Sequence, residues 1–313
     1  MPLFIEDKQV GPIDSIEDLY CKYPSLKESA KAFLSKPVVS VDPKSLLYVQ
    51  QREVAATTKG DKHVSVIGTE DATTCHMVVL RHTGTGAVAL AHCDGFNTPR
   101  QVSLIVKAVT SLSVSSSALL FFLLCRLELH VVGGFEDDKK LSEKISHDLL
   151  TMFQNQDLNI YLETCCTTEM NDVLVDGIHK PIIYGIGVKV ETGEVFPASF
   201  TFKGPAENLR SARRFTKGEM VEIYEPNQGI VKVGPCSWPP QPDLIKWMTM
   251  TDKEILEALS TSPKAEPSDF VRSIKATMWF ILDHPNPDSL FPGDQPQRYR
   301  KTDCGDWDRI VQP

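Results

Sequence analysis

Three observations on this sequence predict an α+β fold, with antiparallel or mixed sheets and helices packed on them. Short apolar runs rich in β-branched or small residues recur along the chain, several joined by turn-like segments as in hairpins. Helical spacing of apolar residues is confined to a few segments and does not alternate with the strands, which disfavours a parallel doubly wound sheet. The length of 313 residues and a hydrophobic fraction of 42% supply ample material for a core.

Taken in order, strands are expected at 64–67, 75–81, 87–92, 127–132, 159–164, 182–189 and 195–202. Glu191-Thr192-Gly193-Glu194 is a good turn between the last two. A further hairpin, 220–224 with 230–233, closes around Pro226-Asn227-Gln228-Gly229. A helix over 138–153 follows from Leu141, Ile145, Leu149 and Phe153 at helical spacing. Shorter helices are expected at 206–215, at 252–260 behind a Thr251 cap, and at 268–282 capped by Ser268. The dense apolar run 118–124 falls short of the roughly 20 residues that span a bilayer. It reads as a buried helix or strand, with 106–112 as the start of the same helix. The proline-rich pieces 235–242 and 285–296 are connections. The chain reads as one domain, with segments 1–45 and 285–313 packed peripherally.

The charged fraction of 24% is that of an ordinary globular protein, and the formal net charge is −8. With no basic run, an electrostatic grip on nucleic acid is not expected. The eight cysteines are spread along the chain, and the stretch after Met1 soon turns acidic, so a secretory signal is not expected. Reduced thiols in the cytoplasm or nucleus are the better reading. No Walker motif occurs, and Gly84 and Gly86 belong to a turn, which gives nucleotide binding little support.

The chemistry concentrates between Thr69 and Gly95. Residues 75–81 and 86–92 form two apolar runs linked through His82-Thr83-Gly84-Thr85-Gly86, a link that favours a hairpin. Closing it at Arg81 and Gly86 puts Cys75 across from His92, their β-carbons roughly 4.5–5.5 Å apart. A slip of one residue pairs Cys75 with Cys93 and turns the wrong face toward it. Both registers are open, and the first is preferred. A thiol beside an imidazole is what a cysteine nucleophile needs, because the imidazole must take its proton or hold an ion pair. His76 points to the opposite face. His130 reads as a satisfied core histidine, His82 as a solvated turn residue, and His63, His147, His179 and His284 as surface groups. Thr69, Glu70 and Asp71 precede Cys75 in a loop, and any of them can return to orient the imidazole. Thr73 and Thr74 are near enough to offer backbone amides to an oxyanion. A zinc site built from Cys75, His76, His82, His92 and Cys93 lacks the paired spacing of compact sites, so no metal is expected. Cys165-Cys166 is assigned no role.

The stretches Leu46-Leu47-Tyr48-Val49-Gln50-Gln51-Arg52, Asp71-Ala72-Thr73-Thr74-Cys75-His76 and His92-Cys93-Asp94-Gly95 resemble the protein N-terminal asparagine amidohydrolase family. So do Val132-Gly133-Gly134-Phe135, Tyr184-Gly185-Ile186, Leu259-Ser260-Thr261-Ser262-Pro263 and Leu290-Phe291-Pro292-Gly293. The resemblance covers nearly the whole chain. It implies an α-β-β sandwich like that of the bacterial toxin and chemotaxis deamidases, and conversion of an amino-terminal asparagine to aspartate plus ammonia. The implied substrates are proteins and peptides with a free N-terminal Asn. An arginyl-transferase and a ubiquitin ligase would act downstream, with no cofactor, nucleic acid or membrane involved and a monomer expected. Cys75 matches the family's nucleophile, His92 its histidine, and Thr69 its serine or threonine hydroxyl. Reading of the substrate amine would fall to a nearby carboxylate, with Glu70, Asp71 and Asp94 the local candidates and Thr74 at the oxyanion. A protein-glutamine deamidase and a non-catalytic reader of N-terminal asparagine are the alternatives. The chain departs from the family at 113–124, where the family has a shorter and more polar connection.

Overall fold

The computed structural model describes residues 3–113, 125–302 and 304–310. The expected apolar run 118–124 lies outside them. The architecture is mixed α/β, with several sheets, as α+β requires. The largest sheet has eight strands. Its order is Val221–Glu222, Glu53–Thr57, Val88–Cys93, His76–His82, Leu127–Gly133, Ile160–Thr167, Leu3–Ile5 and Lys8–Gln9. A second sheet runs Val39–Val41, Val195–Phe200, Ile186–Lys189, Val66–Thr69 and Leu46–Tyr48.

Alternation of side chains across the central strands explains the layering. Val78, Leu80, Ala89, Ala91, Leu129 and Val131 face one way, into a core completed by the helices Thr98–Ser113 and Leu141–Gln154. Met77, Val79, Val88, Leu90 and Val132 face the other way and meet Ile67, Ile186 and Val188 of the five-stranded sheet. Strands buried on both faces read as unbroken apolar runs, which is how 75–81 and 87–92 appear in the sequence. The same second core takes in Leu209 and Ala212 of helix Glu207–Phe215, Ile255 of helix Asp252–Leu259, and Ile274, Met278 and Ile281 of helix Phe270–Asp283. These C-terminal helices form a wall beside the ends of the central strands. Among the described residues, no helix is long and apolar enough to cross a membrane.

Several boundaries differ from expectation for identifiable reasons. The first expected strand begins at Val66 and runs on to Thr69, because Thr69 continues the ladder opposite Ile186. The strand expected over 220–224 is broken: Val221–Glu222 joins the large sheet, whereas Tyr224–Glu225 pairs with Ile230–Val233. Helix Leu141–Gln154 starts later than predicted because the Asp137 carboxylate accepts the amides of Leu141 and Ser142. Thr251 does cap Asp252–Leu259, in a reciprocal box with Glu254. Ser268 does not cap the last helix, which begins at Phe270. The segments expected at the periphery contribute strands. Leu3 and Ile5 are buried beside Ile160–Thr167, and Gln297–Lys301 lies within a four-stranded sheet.

Candidate active site

The hairpin carrying the thiol and the imidazole closes one residue later than predicted. His82, not Arg81, forms the closing position, donating its amide to Ala87, and the loop is Thr83–Gly86. Two local causes fix this register. Gly86 takes a left-handed φ of 71°, which a glycine accommodates without strain. The His82 ring, expected in solvent, is buried instead, with Nδ1 accepting the Thr85 amide at 3.1 Å. Met77 therefore stands opposite His92, and His76 opposite Cys93. The predicted direct opposition of Cys75 and His92 is not found. The pairing has moved by two positions in total, an even slip, so Cys75 and His92 keep the same face as diagonal neighbours. His76 points to the other face, as predicted, and meets Ser146 Oγ at 2.6 Å.

Strand Val66–Thr69 of the second sheet brings the hydroxyl. Thr69 Oγ1 and His92 Nδ1 are 2.7 Å apart and both residues are buried. His92 Nε2 has no hydrogen-bond partner among the described residues. Cys75 is half-buried, and with His92 it lines a cleft of about 450 Å³. Its backbone is fixed from below: Gly134 donates its amide to Cys75 O at 2.9 Å. A β-carbon on Gly133 would stand 2.5 Å from that same carbonyl, which is why Val132-Gly133-Gly134 carries no side chain there. Burial pushes the Cys75 thiol well above its usual range, and the nearby Asp94 charge adds to this against Arg214 and Arg52. Burial likewise lowers His92 to about 4. Thiol and imidazole are thus both neutral at rest.

Three of the four residues expected to bind substrate are already engaged. Asp94 is the hub of a polar network: Arg52 Nε donates to Oδ2 at 2.6 Å and Gln51 Nε2 at 2.8 Å, while the Phe96 amide and Gln101 Nε2 reach Oδ1. Burial works against its charge, but Arg52 and these donors outweigh it and hold the carboxyl below its usual range. Asp71 pairs with Lys203. Thr74 Oγ1 meets Thr261 Oγ1 at 3.0 Å. Glu70 is less committed; burial and the neighbouring Asp71 raise it to about 7. The cleft also holds groups for which sequence spacing gives no chemical signal, chiefly Arg214, Lys203 and Glu266. Residues 50–52 and 259–263 were legible only through resemblance, because they reach the site from distant segments. Among the described residues no cluster is placed to hold a metal.

Fold and site together define a mixed α/β protein in which a cysteine and a histidine line one cleft. The chain belongs to the protein N-terminal asparagine amidohydrolase family, whose profile matches residues 36–309. It is 45% identical to the protein N-terminal asparagine amidohydrolase of Mus musculus, covering 100% of this chain and 99% of the relative. Identity to that of Homo sapiens is also 45% over the same shares. The Arabidopsis thaliana enzyme is 28% identical over 91% of this chain and 87% of its own length.

Proposed function

We propose that this chain hydrolyses the side-chain amide of asparagine at the free amino terminus of proteins and peptides, releasing ammonia and leaving aspartate. Family membership supports the substrate. The observation that carries the chemistry is the 2.7 Å contact between Thr69 Oγ1 and His92 Nδ1, with His92 Nε2 otherwise unpartnered in the cleft that Cys75 lines. On this reading His92 Nδ1 donates its proton to Thr69, leaving Nε2 as the lone-pair nitrogen toward the thiol.

Cys75 Sγ attacks the carboxamide carbon as its proton passes to His92 Nε2. The oxyanion is held by backbone amides at Thr74 and Cys75. Collapse breaks the C–N bond, and His92 returns its proton to the departing nitrogen, which leaves as ammonia. The acyl thioester then meets water, His92 takes the water proton, and the C–S bond breaks to give the carboxylate and the restored thiol. Because both groups start neutral, proton transfer accompanies attack instead of preceding it. Thr69 acts as a positioning residue. The layered arrangement of helices and two sheets supports an α-β-β sandwich of the thiol-hydrolase kind. The aspartate product is suited to arginylation and ubiquitin-dependent degradation in the cytoplasm.

Mass spectrometry of an Asn-initiated peptide, with ammonia measured in parallel, tests this. Wild type converts the peptide, and Cys75→Ala falls below about one-thousandth of that rate with its fold intact. Wild-type-like turnover by Cys75→Ala refutes the mechanism. Action on glutamine side chains alone, or binding without ammonia release, refutes the substrate assignment.

A further inference from the structure

Resting on that reading, we propose that Glu266 receives the α-ammonium group of the substrate and so enforces the requirement for a free amino terminus. In asparagine the α-nitrogen and the carboxamide carbon are joined through only Cα and Cβ. With the carboxamide on Cys75 Sγ, the ammonium group must sit within a few ångströms of the sulfur. The receiving carboxylate must therefore act directly on the thiol, face the cleft and lack a cation of its own.

Of the six acids lining the cleft, Glu207 and Asp269 are not among the main charges acting on Cys75, and the other four separate on these criteria. The charges acting most strongly on Cys75 are Asp94, Arg214, Glu266 and Arg52. Asp94 is consumed by Arg52, Gln51, Gln101 and the Phe96 amide. Asp71 is paired with Lys203, and Glu70 beside it accepts the Phe200 amide at 3.3 Å and is not among the main charges acting on Cys75. Glu266 makes no ion pair among the described residues. Its Oε1 accepts the Ser260 hydroxyl at 2.5 Å, which satisfies a lone pair but not the charge. Burial in a cleft also lined by Leu259, Pro267 and Phe270, with the Asp71 charge adding to it, raises Glu266 to about 7, as expected of a carboxylate awaiting a cation.

Its position is fixed relative to the nucleophile. The loop that presents Glu266 is tied to the Cys75 segment through Thr261 and Thr74. Its other end is held by Tyr184, whose hydroxyl donates to Ala265 O at 2.9 Å. A carboxylate on a loop fastened at two points in this way can measure the short distance from amine to carboxamide in asparagine.

The test compares a free Asn-initiated peptide with its N-acetylated form, using the full chain. Wild type favours the free peptide. Glu266→Gln loses about 10- to 100-fold in kcat/KM on the free peptide, mainly through KM. It leaves the acetylated peptide unchanged, so the preference collapses toward one. Glu70→Gln keeps the preference. A preference that survives Glu266→Gln, or collapses in Glu70→Gln instead, overturns the assignment. Calorimetric binding of both peptides to Cys75→Ala, with and without Glu266→Gln, makes the same comparison without turnover, so a failure of the amidohydrolase reading is seen separately. Circular dichroism checks the fold, and Glu266→Asp, which keeps the charge, retains part of the preference.

Discussion

At the scale of single residues the site depends on one imidazole held in one tautomer. A buried His92 lowered to about 4 is neutral at physiological pH, so its proton occupies one nitrogen or the other. On the proposed mechanism the proton sits on Nδ1 and is donated to the Thr69 hydroxyl, which leaves Nε2 as the base. Thr69→Val keeps the β-branched shape that suits strand Val66–Thr69 but removes the acceptor. We expect kcat to fall about 10- to 100-fold, as for other residues that orient a histidine from behind, with KM nearly unchanged. The unpaired N–H should also cost about 1–3 kcal/mol of stability. Thr69→Ser should restore most of the rate, because the hydroxyl rather than the methyl does the orienting. Steady-state kinetics on an Asn-initiated peptide, with urea unfolding alongside, checks both parts. An unchanged kcat in Thr69→Val would remove the threonine from the mechanism.

At the scale of elements, helix Glu207–Phe215 is the piece that completes the cleft, and a buried ion pair places it. Arg210 donates to Glu53 through Nη2 at 2.5 Å and Nε at 3.0 Å, and its Nη2 also reaches Tyr48 O at 2.7 Å. Four residues on, Arg214 reaches Gln51, which in turn holds Asp94. Arg210→Met, similar in length, leaves Glu53 buried without its main partner. It should lower stability by about 3–5 kcal/mol, the usual cost of breaking one side of a buried pair. Urea denaturation measures this, and a loss below about 1 kcal/mol would place the helix under other control. The sequence could not disclose such a pair, since Glu53 and Arg210 share no local pattern. What it did disclose was local. The hairpin, the two-sided burial of its strands and the Thr251 cap rest on neighbours in the chain, and so does the common face of Cys75 and His92. The register is not legible in the sequence because the buried His82 ring, bonded to Thr85, sets the turn. The N-terminal helices Ile16–Lys22 and Pro24–Leu34 are not legible in the sequence because distant elements define their buried faces: the second packs on strand Ile160–Thr167 and the first on helix Leu141–Gln154.

At the scale of the whole molecule, two layers of sheet and a wall of helices take water away from a cleft that must still hold charge. Glu266 shows the conflict: burial raises it, Asp71 raises it further, and the Ser260 and Thr73 hydroxyls and Arg214 only partly offset them, leaving it at about 7. An ordinary glutamate lies near 4.5, so the fold favours the protonated form. The stability this group contributes is therefore complete below about pH 4.5 and is lost as pH rises through 7. Glutamine at this position keeps an acceptor for Ser260 and does not titrate. Glu266→Gln should then melt at nearly the wild-type temperature below about pH 4.5 and increasingly above it as pH rises toward 7, the gap levelling off beyond that. Glu70, also raised to about 7, is present in both proteins and cancels from the difference. Thermal melts of the two proteins across this range decide the matter. A gap that stays constant with pH would mean that Glu266 is not strained by burial in the free protein, and that the charge imbalance awaiting a substrate amine does not exist.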